Sequence, residues 1–211
     1  IERTKKLMQE AAKKLDFIEA AQYRDEVLKM EELLKDRRGN LTLTNINGLC
    51  RIALDKLKKT YEQDIQEKNI RIIFDNLTLS LMMEVNVEQF SKVLAGILKN
   101  SMYALLKKSE TVTFSPEIFL GLKVNKDMLE ITIRDNGSGI DENIKDKIFA
   151  PFFTTKTTGE AAGVGLYLCR EIVQNHRGTI EVESKKGEYT QFLITIPVYQ
   201  PKTITPPKEE E

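Results

Sequence analysis

Asp135-Asn136-Gly137-Ser138-Gly139, then Phe149-Ala150-Pro151-Phe152-Phe153-Thr154-Thr155-Lys156, then Gly163-Val164-Gly165-Leu166 form the stretch that decides the reading of this chain. The apolar run Leu129 to Ile133 leads into Asp135 and ends at a glycine turn, the signature of a buried strand. A carboxylate at the end of such a strand accepts hydrogen bonds from a flat amine, and glycines let backbone come close to a ligand. Further on, Gly163-Val164-Gly165 opens a helical pattern of Leu166, Leu168, Cys169, Ile172 and Val173. A glycine-rich helix start turns free N–H groups and the positive dipole end outward, which suits phosphate. One end of the stretch favours a base and the other a phosphate chain, so a nucleotide fits between them.

The 211 residues suffice for one substantial domain with an appendage. Lys+Arg and Asp+Glu each number 32, so the formal net charge is zero and no basic bias points to nucleic acid. No apolar run is long enough to span a bilayer. The chain starts at Ile1 and reads as a piece of a longer protein. Cys50 and Cys169 have no metal-type spacing and read as core thiols of a reduced, cytoplasmic setting.

Residues 1–40 carry two narrow, alanine-rich apolar stripes, Leu7 to Leu15 and Phe17 to Leu34, with Asp16 and Glu19 spaced as a capping box. They predict a helical hairpin that needs a partner surface, because it buries too little area alone. Lys+Arg against Asp+Glu is ten against nine there, which excludes a DNA-binding arm. The run Met8 to Glu26 resembles the UVR motif, a hairpin of bacterial excision-repair proteins and protease adaptors, and the resemblance implies pairing as a homodimer or with another UVR hairpin.

Asp36 to Asn40 is a charged, glycine-containing break, which sets domains of 1–40 and 41–199, followed by a disordered proline- and glutamate-rich tail at 200–211. Periodicity predicts a helix from Asn45 to about Glu67 and strands at 70–74 and 81–85. A long helix capped by Asn86 follows, then strands at 118–124, 129–134, 179–183 and 191–197. The fold class is α+β: a mixed sheet with helices on one face, preceded by the hairpin.

Asn100 on the long helix, the Asp135–Gly139 loop, the Phe149–Lys156 run and Gly163–Leu166 resemble, in that order, the N box, first glycine box, F box and second glycine box of histidine-kinase ATP-binding domains. These belong to the GHKL superfamily with its Bergerat-type sandwich, and the run Ile148 to Lys156 is similar to the nitrogen-regulator subgroup. The resemblance implies ATP and Mg²⁺ as cofactors. Asp135 would read the adenine amine, supported through water by Thr190. Gly137 and Gly139 would lie against base and ribose, and Asn100 would ligate the metal. Lys156 would neutralise phosphate charge within a lid over 152–162, and Gly163, Gly165 and Leu166 would offer backbone N–H groups. Phe149, Phe152 and Phe153 read instead as core anchors of the lid.

The implied activity is phosphorylation of a histidine on an acceptor hairpin outside this chain, with a response regulator downstream. The alternative is a non-catalytic ATP-binding interaction module. Gly96 stands one turn before Asn100, where relatives carry a polar residue, and Tyr103 stands where many carry Lys, Arg or Gln. Both departures put transfer, rather than binding, in question. The single histidine, His176, reads as a helix cap with Gly178 rather than an acceptor.

Overall fold

The computed structural model describes residues 41–156 and 163–198; the expected 1–40 hairpin, most of the lid and the tail lie outside the described residues. In chain order the elements are β1 (Thr42–Asn45), α1 (Ile46–Thr60), α2 (Glu62–Glu67), β2 (Arg71–Asp75), β3 (Met82–Val85) and α3 (Val87–Ser109). Then follow β4 (Glu117–Asn125), β5 (Met128–Asp135), α4 (Glu142–Lys145), α5 (Gly165–Asn175), β6 (Thr179–Lys185) and β7 (Tyr189–Pro197).

A five-stranded mixed sheet runs β2-β4-β5-β7-β6, parallel only between β2 and β4. Alternation along β5 and β7 sends Leu129, Ile131, Ile133, Phe192, Ile194 and Ile196 into one buried face. Facing them, α3 contributes Phe90, Val93, Leu94, Ile97, Leu98, Met102 and Leu105, all fully buried. Each such side chain contributes about 1.5–3 kcal/mol on burial, so α3 is the central support of the domain. It packs between α1 and α5 and reaches across to β5.

Two elements differ from the sequence reading. The helix expected over 45–67 breaks at Tyr61 (φ −115°, ψ 30°) into α1 and α2. The four-residue β1 has no periodicity of its own and exists through antiparallel pairing with β3, Thr42 opposite Val85. Such a non-local partner leaves no local signal.

Helix ends follow side-chain chemistry. Asn45 Oδ1 accepts from Gly48 N–H at 3.1 Å, and Asn86 Oδ1 accepts from Gln89 N–H at 3.0 Å. His176 caps α5 and also joins it to α3. Its Nε2 accepts from Asn86 N–H at 3.1 Å, so Nδ1 carries the proton and donates to Ile172 O at 2.8 Å. The ring edge rests on Phe90, centroids 5.7 Å apart. Both ring nitrogens are thereby engaged in structure. Among the described residues, no helix is long and apolar enough to cross a membrane.

Candidate functional site

The sheet register builds the floor of the site. Asp135, the last residue of β5, lies opposite Thr190 on β7, which lies opposite Ser184 on β6. This puts three polar side chains in a row at one end of the sheet, all buried. Ser184 Oγ and Thr190 Oγ1 are 3.1 Å apart. Ser184 also accepts from Ile140 N–H at 2.8 Å and donates to Tyr189 O at 2.7 Å, tying the glycine loop to the β6–β7 hairpin.

Asp135 is 2% exposed, and burial pushes its carboxyl up to about 6. Ser101, the Gly137 N–H (3.0 Å), Lys108 and Arg134 temper that rise. Ser101 Oγ, also buried, faces the Asp135 carboxyl without the geometry of a full hydrogen bond.

The loop after Asp135 is sewn onto α3. Ser138 N–H donates to Ala104 O at 3.2 Å, and Lys108 Nζ donates to Asn136 O at 2.7 Å. Asn136 bridges to β4, accepting from Glu117 N–H and donating to Ser115 O, both at 2.8 Å. A Cβ on Gly137 would meet Ala104 at 2.7 Å, and one on Gly139 (φ +64°) would meet Lys185 O at 2.2 Å. Close approach at both glycines is thus to the protein's own backbone, and Gly137 does not line the cleft.

That cleft has a volume of about 430 Å³, within the range of small-molecule sites. Asn100, Asp135, Gly139, Lys156, Gly163, Gly165, Leu166 and Thr190 all line it. Asn100 sits four residues, about 6 Å, before Ala104 along α3. Lys156 Nζ donates to Asn100 Oδ1 at 3.3 Å and lies 4.2 Å from the Tyr103 ring centroid. At Gly165 an added Cβ would enter open space, and no side chain caps the α5 start. Gly163 (φ +72°) is packed on the backbone of Phe152, itself at φ +64°.

Of the three phenylalanines, Phe149 is a core anchor, edge-on to Phe192 at 6.3 Å. Phe153 is partly buried against the core yet lines the cleft, and Phe152 has a left-handed backbone at φ +64°. Sequence reasoning missed Ser101, Ser184, Lys107 and Lys186 near the site. Ser101 was adjacent to a singled-out residue; Lys186 stands in a charged hairpin turn with no distinguishing pattern.

Gly96 does not line the cleft. Its Cβ direction leads to Cys169 Sγ on α5, 3.2 Å away, so the bare residue serves helix packing. Gly96→Asn is expected to lower stability by about 1–2 kcal/mol, overpacking outweighing the small gain in helix propensity. A thermal melt checks this, and an unchanged or raised midpoint would contradict the packing role.

The profile described as "Histidine kinase-, DNA gyrase B-, and HSP90-like ATPase" matches residues 86–200. The chain belongs to this ATPase family. Residues 1–33 match the UvrB/uvrC motif. Sensor histidine kinase ZraS of Salmonella typhi is 28% identical over 172 residues, covering 82% of this chain and 34% of ZraS. Cyanobacterial phytochrome A of Nostoc sp. is 35% identical over 149 residues, covering 69% of this chain and 18% of that protein. The catalytic domain of histidine kinase ThkA, in a nucleotide-free form, superposes with a TM-score of 0.61 at 28% identity, covering 75% of this chain and 95% of that domain. This ATPase domain is therefore of the histidine-kinase catalytic type. The chain spans about a third or less of the curated relatives named here.

Proposed function

We propose that this chain is the ATP/Mg²⁺-binding catalytic region of a two-component sensor kinase, transferring the terminal phosphoryl group to a histidine outside the chain. The observation that carries the reading is the buried Asp135 carboxylate at the floor of a cleft that also holds Asn100 and Lys156. The residues present fit a nucleotide. Asp135 accepts from the exocyclic amine of adenine. Gly165 leaves room beside the uncapped α5 start, where backbone N–H groups and the helix dipole favour phosphate. Asn100 would hold Mg²⁺ by one amide oxygen. Among the described residues no cluster of three or more acidic, His or Cys side chains suits a metal, so phosphates and water would supply the other ligands.

Held by Asn100, Mg²⁺ would supply positive charge that neutralises the phosphates. Lys156 adds positive charge there, and Asp135 and Thr190 orient the base. His176 is taken up in capping, so the acceptor is sought on a separate hairpin. Residues 1–40 would form the UVR-type pairing hairpin, self-associating or binding a second such hairpin, with 41–199 as the ATP domain and 200–211 as a disordered tail. A response regulator is the downstream partner, in the cytoplasm. The alternative reading is a non-catalytic ATP-binding interaction module; Gly96, whose empty side faces Cys169 rather than the cleft, does not decide between the two.

Titration calorimetry with ATP and GTP, with and without Mg²⁺, tests the base-reading role. ATP is expected to bind at least about a hundredfold tighter, because guanine would set a carbonyl against the Asp135 carboxylate. Equal affinities would sink the proposal. Phosphate transfer to a supplied acceptor hairpin separates the two readings.

A further inference from the structure

The sequence places an aromatic ring, Tyr103, where the resemblance implies a cation or Gln, and the structure shows what stands on that ring. The Lys156 ammonium lies 4.2 Å from its centroid, and the Lys107 ammonium reaches the same ring at 5.7 Å. Thr154 Oγ1 accepts from Lys156 N–H at 3.1 Å, fixing the backbone from which that lysine leaves. Lys156 Nζ also donates to Asn100 Oδ1 at 3.3 Å. That oxygen is the one proposed above for Mg²⁺, which binds oxygen at about 2.0–2.1 Å. An ammonium and a divalent ion on one amide oxygen repel each other, so only one of them holds it at a time. The ring face attracts a cation whether or not the amide oxygen is free.

We propose that Tyr103 is a positioning residue whose ring keeps Lys156 in the cleft, and that Lys156 occupies Asn100 Oδ1 without ligand and yields it to Mg²⁺ when metal–nucleotide arrives. The inference rests on the nucleotide reading above. It deepens that reading by naming an internal cation that competes with the metal. Lys156 thereby adds positive charge over α3, on the same ring that Lys107 of α3 reaches. Once displaced from Asn100, Lys156 remains over Tyr103, within reach of the phosphate chain.

The ring, not the hydroxyl, carries this role, so Tyr103→Phe retains it and Tyr103→Leu loses it. The test is calorimetry of the full chain with ATP and adenosine, in Mg²⁺ or in EDTA, for wild type, Tyr103→Phe, Tyr103→Leu and Lys156→Met. Thermal melts confirm that each variant folds. In EDTA, ATP affinity is expected to fall roughly three- to tenfold in Tyr103→Leu and Lys156→Met, the range a cation–π contact supports, and to hold in Tyr103→Phe. Adenosine affinity is expected to stay within about twofold, since no phosphate is present. The factor by which Mg²⁺ strengthens ATP binding is expected to rise in the two impaired variants, because the metal no longer displaces an ammonium. An unchanged Mg²⁺ factor in Lys156→Met, or a Tyr103→Phe as impaired as Tyr103→Leu, overturns the inference while leaving wild-type ATP binding intact. A wild type that binds neither ATP nor adenosine overturns the nucleotide reading, and the inference with it.

Discussion

Asp135→Asn is expected to make the protein more stable at pH 7 and a poorer ATP binder. The Asp135 carboxyl is pushed up from 3.8 to about 6 by burial. Between those values the folded chain holds a proton that the unfolded chain has released, so stability falls as pH rises from about 4 to about 6 and stays lowered above that. An acid with a raised folded pKa therefore costs stability at neutral pH, here on the order of 1–3 kcal/mol. Asn keeps an oxygen for the Gly137 N–H and removes the buried charge. Melts of wild type and variant from pH 4 to pH 8 are expected to diverge as pH rises, the variant above. The same change weakens the bond to adenine from charge-assisted to neutral, roughly a tenfold loss of ATP affinity. It also offers an N–H to the guanine carbonyl, so the ATP-over-GTP preference is expected to collapse. Parallel melting curves together with an unaltered nucleotide preference would show that Asp135 reads no base.

The second large effect concerns the glycines, which look alike in sequence and differ in space. Gly139→Ala is expected to destabilise by about 3 kcal/mol or more, because its Cβ would lie 2.2 Å from Lys185 O and the residue sits at φ +64°. Gly187 has φ +80° but open space around its Cβ position, so Gly187→Ala isolates the backbone cost at about 1 kcal/mol. Gly165 has neither restriction. Gly165→Ala is expected to leave stability unchanged or raise it slightly, while weakening ATP binding by crowding the phosphate path. Denaturant titrations of the three variants check the order. If Gly139→Ala melts like Gly187→Ala, the loop is not clamped against the β6–β7 hairpin.

The strands β4 to β7, the Asn86 cap and the α3 stripe were legible from residue type and spacing, and eight of the residues expected at the site line the cleft. Alternation and helical periodicity are local consequences of burial on one face. Asp135, Asn100 and the glycine turns stood out because each sits at an element end or on a stripe that the pattern already located. The tertiary structure decided what each of these groups faces. Gly96 looked like a missing catalytic side chain, yet its empty side meets Cys169, 73 residues on in the sequence. At Gly137 the space a side chain would need is taken by Ala104. Tyr103 looked like a lost cation and carries one from Lys156. β1 had no signal because its stabilising partner, β3, is distant in the chain. A residue type sets what a group is able to do. Its neighbour across the fold, brought there by packing of α3 on α5 and on the sheet, sets which of those things it does.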